Sequence, residues 1–159
     1  MRRRHVLAAL SILPLGARAQ TTEQSAPQPE LPKEQLTIVS RDGKRHAFSV
    51  EVATTAEQQQ TGEMFRKSVP ADGGMLFDWG FPRDSQMWMR NTLVPLDMVF
   101  INPDGTIRSI AESTVPESLA VIDSRGPVRA TLELAGGTTA RLNILVGDKV
   151  LQRIFGHTE

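Results

Sequence analysis

The chain has 159 residues and 17.5 kDa, with 40% apolar and 23% charged residues, enough for one globular domain plus a short extra segment and too little for two full domains. Eighteen Lys+Arg balance eighteen Asp+Glu, but Arg2, Arg3, Arg4 and Arg18 fall in an acid-free stretch of 19 residues, so the remainder sets fourteen basic against eighteen acidic groups. Nucleic-acid backbones call for clustered Lys/Arg, and no basic run follows Arg4, so no nucleic-acid partner is expected. Cysteine is absent, which removes disulfides, thiol nucleophiles and Cys-ligated zinc or iron–sulfur sites. GxGxxG, GxxxxGK and HExxH are absent too, and no cofactor is expected.

Residues 1–19 read as an export signal: basic Arg2, Arg3 and Arg4, an eleven-residue apolar stretch over 6–16, then Ala17-Arg18-Ala19 as a small-x-small cleavage site. Eleven residues are too short for a bilayer core that takes about twenty, so the mature chain should have no membrane span. A periplasmic or secreted protein starting at Gln20 is expected, by the Sec or the twin-arginine route. Residues 20–35 are polar and Pro-rich, with Leu31 the one large aliphatic before the tail of the segment, and read as a flexible linker.

From Leu36 on, short apolar runs alternate with turn chemistry. Residues 36–40, the Asp42-Gly43 turn and the alternation over 45–52 predict a hairpin. Thr54-Thr55-Ala56-Glu57 has capping-box spacing and opens one helix that runs to about Gln60 and stops at Gly62. Strands are predicted over 74–79, 86–90, 96–101, 106–112, 128–135, 140–146 and 149–155, separated by turns such as Asn102-Pro103-Asp104-Gly105. Short strands, one short helix and no βαβ alternation predict a mainly β domain over 36–155, an antiparallel β-sandwich or barrel. Its core is expected from Phe48, Val50, Val52, Met75, Phe77, Val99, Ile101, Ile107, Leu132, Leu134, Leu142 and Ile144.

Gly62-Glu63-Met64-Phe65-Arg66, Gly74-Met75-Leu76-Phe77, Trp88-Met89-Arg90-Asn91-Thr92, Pro95-Leu96-Asp97 and Leu132-Glu133-Leu134 follow one another in the order seen in a known family. In this string the chain resembles the domain of unknown function 192 family of bacteria and archaea. The resemblance implies a compact jelly-roll β-sandwich, often exported, with no established reaction. The chain departs from the family pattern at Glu63, where Leu is usual, and at Met87, where an aromatic is common. Glu63, at the helix end, is expected to face solvent.

Arg66, Trp88, Arg90, Asn91, Asp97 and Glu133 combine planar cations, an amide, two carboxylates and a flat apolar wall. Such a set suits a small polar ligand, a sugar or a carboxylate. Arg66, Asp97 and Glu133 are further expected in one polar cluster, where they either hold a ligand or only satisfy one another. A monomer that binds such a ligand, or an envelope protein, without catalysis is the leading reading. Two alternatives stay open. Asp97 and Glu133 match the paired carboxylates of a carbohydrate-active hydrolase. Met87 and Met89, two apart on a predicted strand with His46 as a third ligand, match a Cu(I) site.

Overall fold

The computed structural model describes residues 25–156. The export signal, the first part of the predicted linker and His157 lie outside the described residues. Strands β1 (Lys33–Val39) and β2 (Arg45–Ala53) pair antiparallel around the Asp42-Gly43 turn, with Leu36 opposite Phe48. The Gly43 N–H donates to the Ser40 carbonyl at 2.8 Å, closing the predicted hairpin. The expected linker is corrected from Gln28 onward. Its side chain donates to the Gln58 and Gly62 carbonyls, the Leu31 N–H to the Glu51 carboxylate, and residues 33–35 are strand. These hydrogen bonds, with Leu31 packed against Ala53, Met75 and Phe77, order the segment, which composition does not reveal.

Helix α1 (Ala56–Thr61) ends at Gly62 as predicted, but its capping box sits one residue later. Thr55 is the N-cap and accepts from the Gln58 N–H at 3.2 Å, while the Gln58 side chain accepts from the Thr55 N–H at 3.1 Å. The chain then returns to place β3 (Gly73–Met87) parallel to β2, with Ser49 opposite Gly73 and Ala53 opposite Phe77. A parallel neighbour requires a crossover of a dozen or more residues, and the segment containing α1 supplies it. This pair makes the sheet mixed, whereas the other strand pairs are antiparallel as expected.

The remaining strands are β4 (Leu96–Ile101), β5 (Ile107–Ala111), β6 (Ile122–Ala135) and β7 (Lys149–Leu151). They complete one seven-stranded sheet ordered β5-β4-β6-β3-β2-β1-β7. The sheet curls into a half-barrel, and its edges touch where Thr106 bridges Lys149 and the Ile107 N–H donates to the Asp148 carbonyl. Of the sandwich or barrel expected, the mainly β domain takes the form of a single curled mixed sheet, a half-barrel, and not two packed sheets. The predicted strands 74–79 and 86–90 are joined through the irregular middle of β3, whose register shifts between Asp78 and Arg83 and again between Asp84 and Gln86. Gly80 and Pro82 read as breaks in sequence, but a bulged strand accommodates both.

The predicted strand 140–146 is a second helical turn, α2 (Thr138–Leu142), and β7 gives way to a 3-10 turn at Arg153–Phe155. All of the expected core is buried except Leu142, which packs partly buried against it. Leu36, Phe48, Val50, Leu76, Val99, Leu132 and Leu134 cover one face of the sheet, whereas Met75, Phe77, Met98 and Phe100 belong to clusters on the other.

Asp97 is buried on the first of these faces. Asp97 stands opposite Leu134 while its neighbour Met98 stands opposite Glu133, so strand alternation points Asp97 and Glu133 to opposite faces. The Asp97 carboxylate accepts from the N–H groups of Ser113, Gly137 and Thr139 at 2.8, 2.9 and 2.8 Å, and from the Thr139 hydroxyl at 2.8 Å. It therefore ties β4 to the loop after β5 and to the start of α2. The expected Arg66–Asp97–Glu133 cluster is corrected accordingly, as is the Asp97–Glu133 acid pair of the hydrolase alternative. Asp97→Ala, which orphans three backbone donors, should lower unfolding free energy by about 3 to 6 kcal/mol in urea denaturation. A loss below about 1 kcal/mol would contradict this bracing role.

Candidate functional site

Strand register builds the site. Glu51 on β2 stands opposite Met75 on β3, Met75 opposite Glu133 on β6, and Glu133 opposite Met98 on β4, a row across four strands on one face. The chain after α1 lies over this row and adds Glu63 and Arg66. Two glycines permit the close packing. At Gly74 (φ +150°) a Cβ would stand 2.2 Å from the Glu133 carbonyl oxygen, and at Gly62 (φ +49°) one would stand 2.9 Å from the Phe77 ring.

Arg66 grips Glu51 with two parallel hydrogen bonds of 2.5 and 2.9 Å, and Glu51 also accepts the Leu31 N–H at 2.7 Å. Burial pushes the Glu51 carboxyl up, but the Arg66 hydrogen bonds, the Leu31 N–H and the guanidinium charge together hold it below the usual range. Glu63, only 3% exposed, has its Oε2 3.1 Å from the Arg66 Nε without the alignment of a hydrogen bond. Burial raises its pKa to about 7, which the Arg66 charge opposes and the Glu51 charge reinforces. Glu133 is fully buried, and burial drives its pKa well above the ordinary value; Glu63 adds repulsion and Arg66 partly offsets it. Among the described residues, the Oε2 atoms of Glu63 and Glu133 are the buried side-chain oxygens without a hydrogen-bond partner.

Both acids line a cavity of about 210 Å³, walled by Phe77, Trp79, Met87 and Trp88 with Gly62 and Met64 at its side. Trp79 donates its indole N–H to the Thr131 hydroxyl at 3.2 Å, which fixes the ring. The Arg83 guanidinium stands 4.9 Å from the Trp79 ring centre and that of Arg90 stands 5.6 Å from the Trp88 ring centre. Of the expected site residues, Trp88 and Glu133 line the cavity and Arg66 touches its Glu63. Arg90 is exposed on Trp88. Asn91 (φ +54°) shapes the loop, its carbonyl accepting the Phe65 N–H at 2.8 Å. The Cu(I) set is not assembled as expected, because β3 ends at Met87. Met87 lines the cavity, Met89 is buried with its sulfur accepting from the Thr114 hydroxyl, and His46 hydrogen-bonds Ser40. Among the described residues no group of three or more His, Asp or Glu has the arrangement to hold a metal.

The model of the domain of unknown function 192 family, described as an uncharacterised ACR, matches residues 37–152. The chain belongs to that family. No curated protein matches. A crystal structure from Sinorhizobium meliloti 1021, provisionally named a transcription regulator, is 44% identical, with TM-score 0.78, over 80% of this chain and 98% of that one. A second, of a protein of unknown function from Novosphingobium aromaticivorans DSM 12444, is 38% identical, with TM-score 0.75, over 80% of this chain and 91% of that one.

Sequence reasoning missed Glu51, Glu63 and Trp79, and it placed Glu63 in solvent. Glu63 is instead buried over the carboxyl row. The available signal was the departure itself: an acid where the family resemblance implies Leu points to an apolar position. Because Glu63 binds its proton more tightly folded (about 7) than unfolded (4.5), the folded state holds more protons between these values, and stability falls as pH rises through that window. Glu63 should therefore cost about 2 to 3 kcal/mol of unfolding free energy in urea between pH 5 and 7.5, with Glu133 adding a loss of the same sign, and Glu63→Gln should remove its own share and make the slope shallower. The Glu51 shift acts oppositely and at lower pH, so it does not mask the effect. An unchanged slope in Glu63→Gln would contradict the assignment.

Proposed function

We propose that this protein is an exported binder of a small polar ligand, and that the cavity between Glu63, Glu133, Trp79 and Trp88 is its binding site. The observation that carries the reading is the Glu133 Oε2 atom: buried, without a partner and lining an open cavity. A buried polar group without a hydrogen bond costs free energy, and a ligand donor would relieve that cost. Apolar walls with a few convergent polar groups are the usual build of small-molecule sites. A carboxylate ligand, one of the two expected, fits poorly beside two acids. Export rests on the basic, apolar and small-residue sequence of the first 19 residues.

Binding is favoured over turnover. The carboxylate pair expected of a hydrolase, Asp97 and Glu133, points to opposite faces of the sheet and so cannot flank one glycosidic bond. The provisional name of the Sinorhizobium structure would suggest DNA, but fourteen basic against eighteen acidic groups outside the first 19 residues give that reading no electrostatic footing.

One preparation tests this. Protein recovered from the native envelope fraction should begin at Gln20, and a thermal-shift screen of small polar compounds should find ligands that raise its melting temperature. Trp88→Ala and Glu133→Gln should each abolish the shift without preventing folding. Intact Met1 in the cytoplasm would refute export. Ligand shifts unaffected by either substitution, or no shift with any compound, would refute the site.

A further inference from the structure

We propose that the ligand is a small organic cation, a primary ammonium on a short apolar stem, held between Glu63 and Glu133 with its stem against Trp79 and Trp88. This rests on the pocket reading above and adds the chemical class.

Three observations point to it. The first is charge: the buried cluster sets three carboxyl groups, Glu51, Glu63 and Glu133, against one guanidinium. Arg66 spends both terminal nitrogens on Glu51, and only its Nε is left, 3.1 Å from the Glu63 Oε2 atom. The two acids facing the cavity therefore lack a full counter-charge, and an ammonium would supply it. Arg83 and Arg90, also near the cavity, are exposed and screened by solvent, so their charge acts weakly on a buried site.

The second is the balance of donors and acceptors. The hydroxyls of Thr61 and Thr92 donate to the Glu57 and Arg90 carbonyls, and the Gln59 amide donates to the Ala53 and Asp78 carbonyls. The remaining side-chain donors of the lining, the Gln60 and Gln86 amides and the Trp88 indole, belong to exposed residues, while inside the cavity the Glu133 Oε2 atom has no partner and the Glu63 Oε2 atom has only its ion pair with Arg66. An ammonium has three donors and no acceptor, which complements this lining. A carboxylate ligand offers only acceptors and is refused.

The third is shape and surface. About 210 Å³ is roughly seven times the volume share of one water in the liquid, room for a few-carbon chain and its head group. Indole faces attract cations, and both tryptophans already carry a guanidinium over the ring. A divalent metal lacks the third anionic ligand. When the ammonium binds, a cavity carboxyl that was protonated ionises and releases its proton to solvent; no covalent bond changes.

The test is titration calorimetry of the full mature chain at pH 7 in phosphate and in HEPES, neither of which carries a primary ammonium, with n-butylammonium, 1-butanol, butyrate and glucose as probes. Butylammonium should bind, with a heat that differs between the buffers because a proton is released, and about tenfold or more tighter than 1-butanol. Butyrate should not bind. Glu133→Gln should weaken butylammonium by about tenfold or more while its thermal melt stays cooperative. If 1-butanol or glucose binds as well as butylammonium and Trp88→Ala removes that binding, the cation class is overturned and the pocket stands. If none of the four probes binds, the cation proposal is overturned, and the pocket reading falls too if the broader screen also finds nothing.

Discussion

The bidentate grip of Arg66 on Glu51 is the contact on which the site depends. It lets the chain after α1 lie over a sheet face that carries two carboxyl groups of its own and then adds a third. Arg–carboxylate pairing of this fork-to-fork kind is strong because both partners are planar and lose little freedom on meeting. The Leu31 N–H completes the coordination of Glu51 and brings the N-terminal segment onto the same face. Without the guanidinium, Glu51 would become a third uncompensated buried acid, and the loop holding Glu63 would lose its anchor.

Two kinds of buried carboxylate separate structure from function here. Asp97 is saturated: each of its oxygens accepts hydrogen bonds, and it faces the main core. Glu133 is buried too, but its Oε2 atom has no hydrogen-bond partner and the residue lines a cavity. The first arrangement braces a fold. The second lowers stability in the empty protein and is the form of strain that ligand sites carry. The departure at Glu63 sharpens this contrast, because a Leu at that place would leave Glu133 without a second acid. The ligand chemistry proposed here thus belongs to this chain rather than to every family member.

Much of the fold was legible from local signals. Asp42-Gly43 and the flanking alternation specified the β1–β2 hairpin, and Gly62 marked the end of α1. The features that were hidden depend on distant partners. Leu142, Ile144 and Val146 alternate like a strand, but α2 forms because Asp97, forty residues away from Gly137, accepts the amides at its start. The parallel β2–β3 pair follows from the path of a crossover, not from either strand's pattern. At the site, Trp88, Arg66 and Glu133 stood out through their residue types and motif positions. Glu51 was hidden on the polar side of an alternating strand whose polar side is covered. Glu63 follows Gln58, Gln59 and Gln60 and reads as solvated until the sheet beneath it is known.

The central claim is that two acids sit buried at an open cavity, held short of counter-charge. Carboxyl-carbon NMR of the ligand-free protein tests it most directly, by following each glutamate through a pH titration. The account predicts that Glu63 titrates near pH 7, that Glu133 stays neutral beyond the ordinary glutamate range, and that Glu51 ionises below it. Glu63 and Glu133 both titrating near 4.5, as exposed glutamates do, would contradict the account.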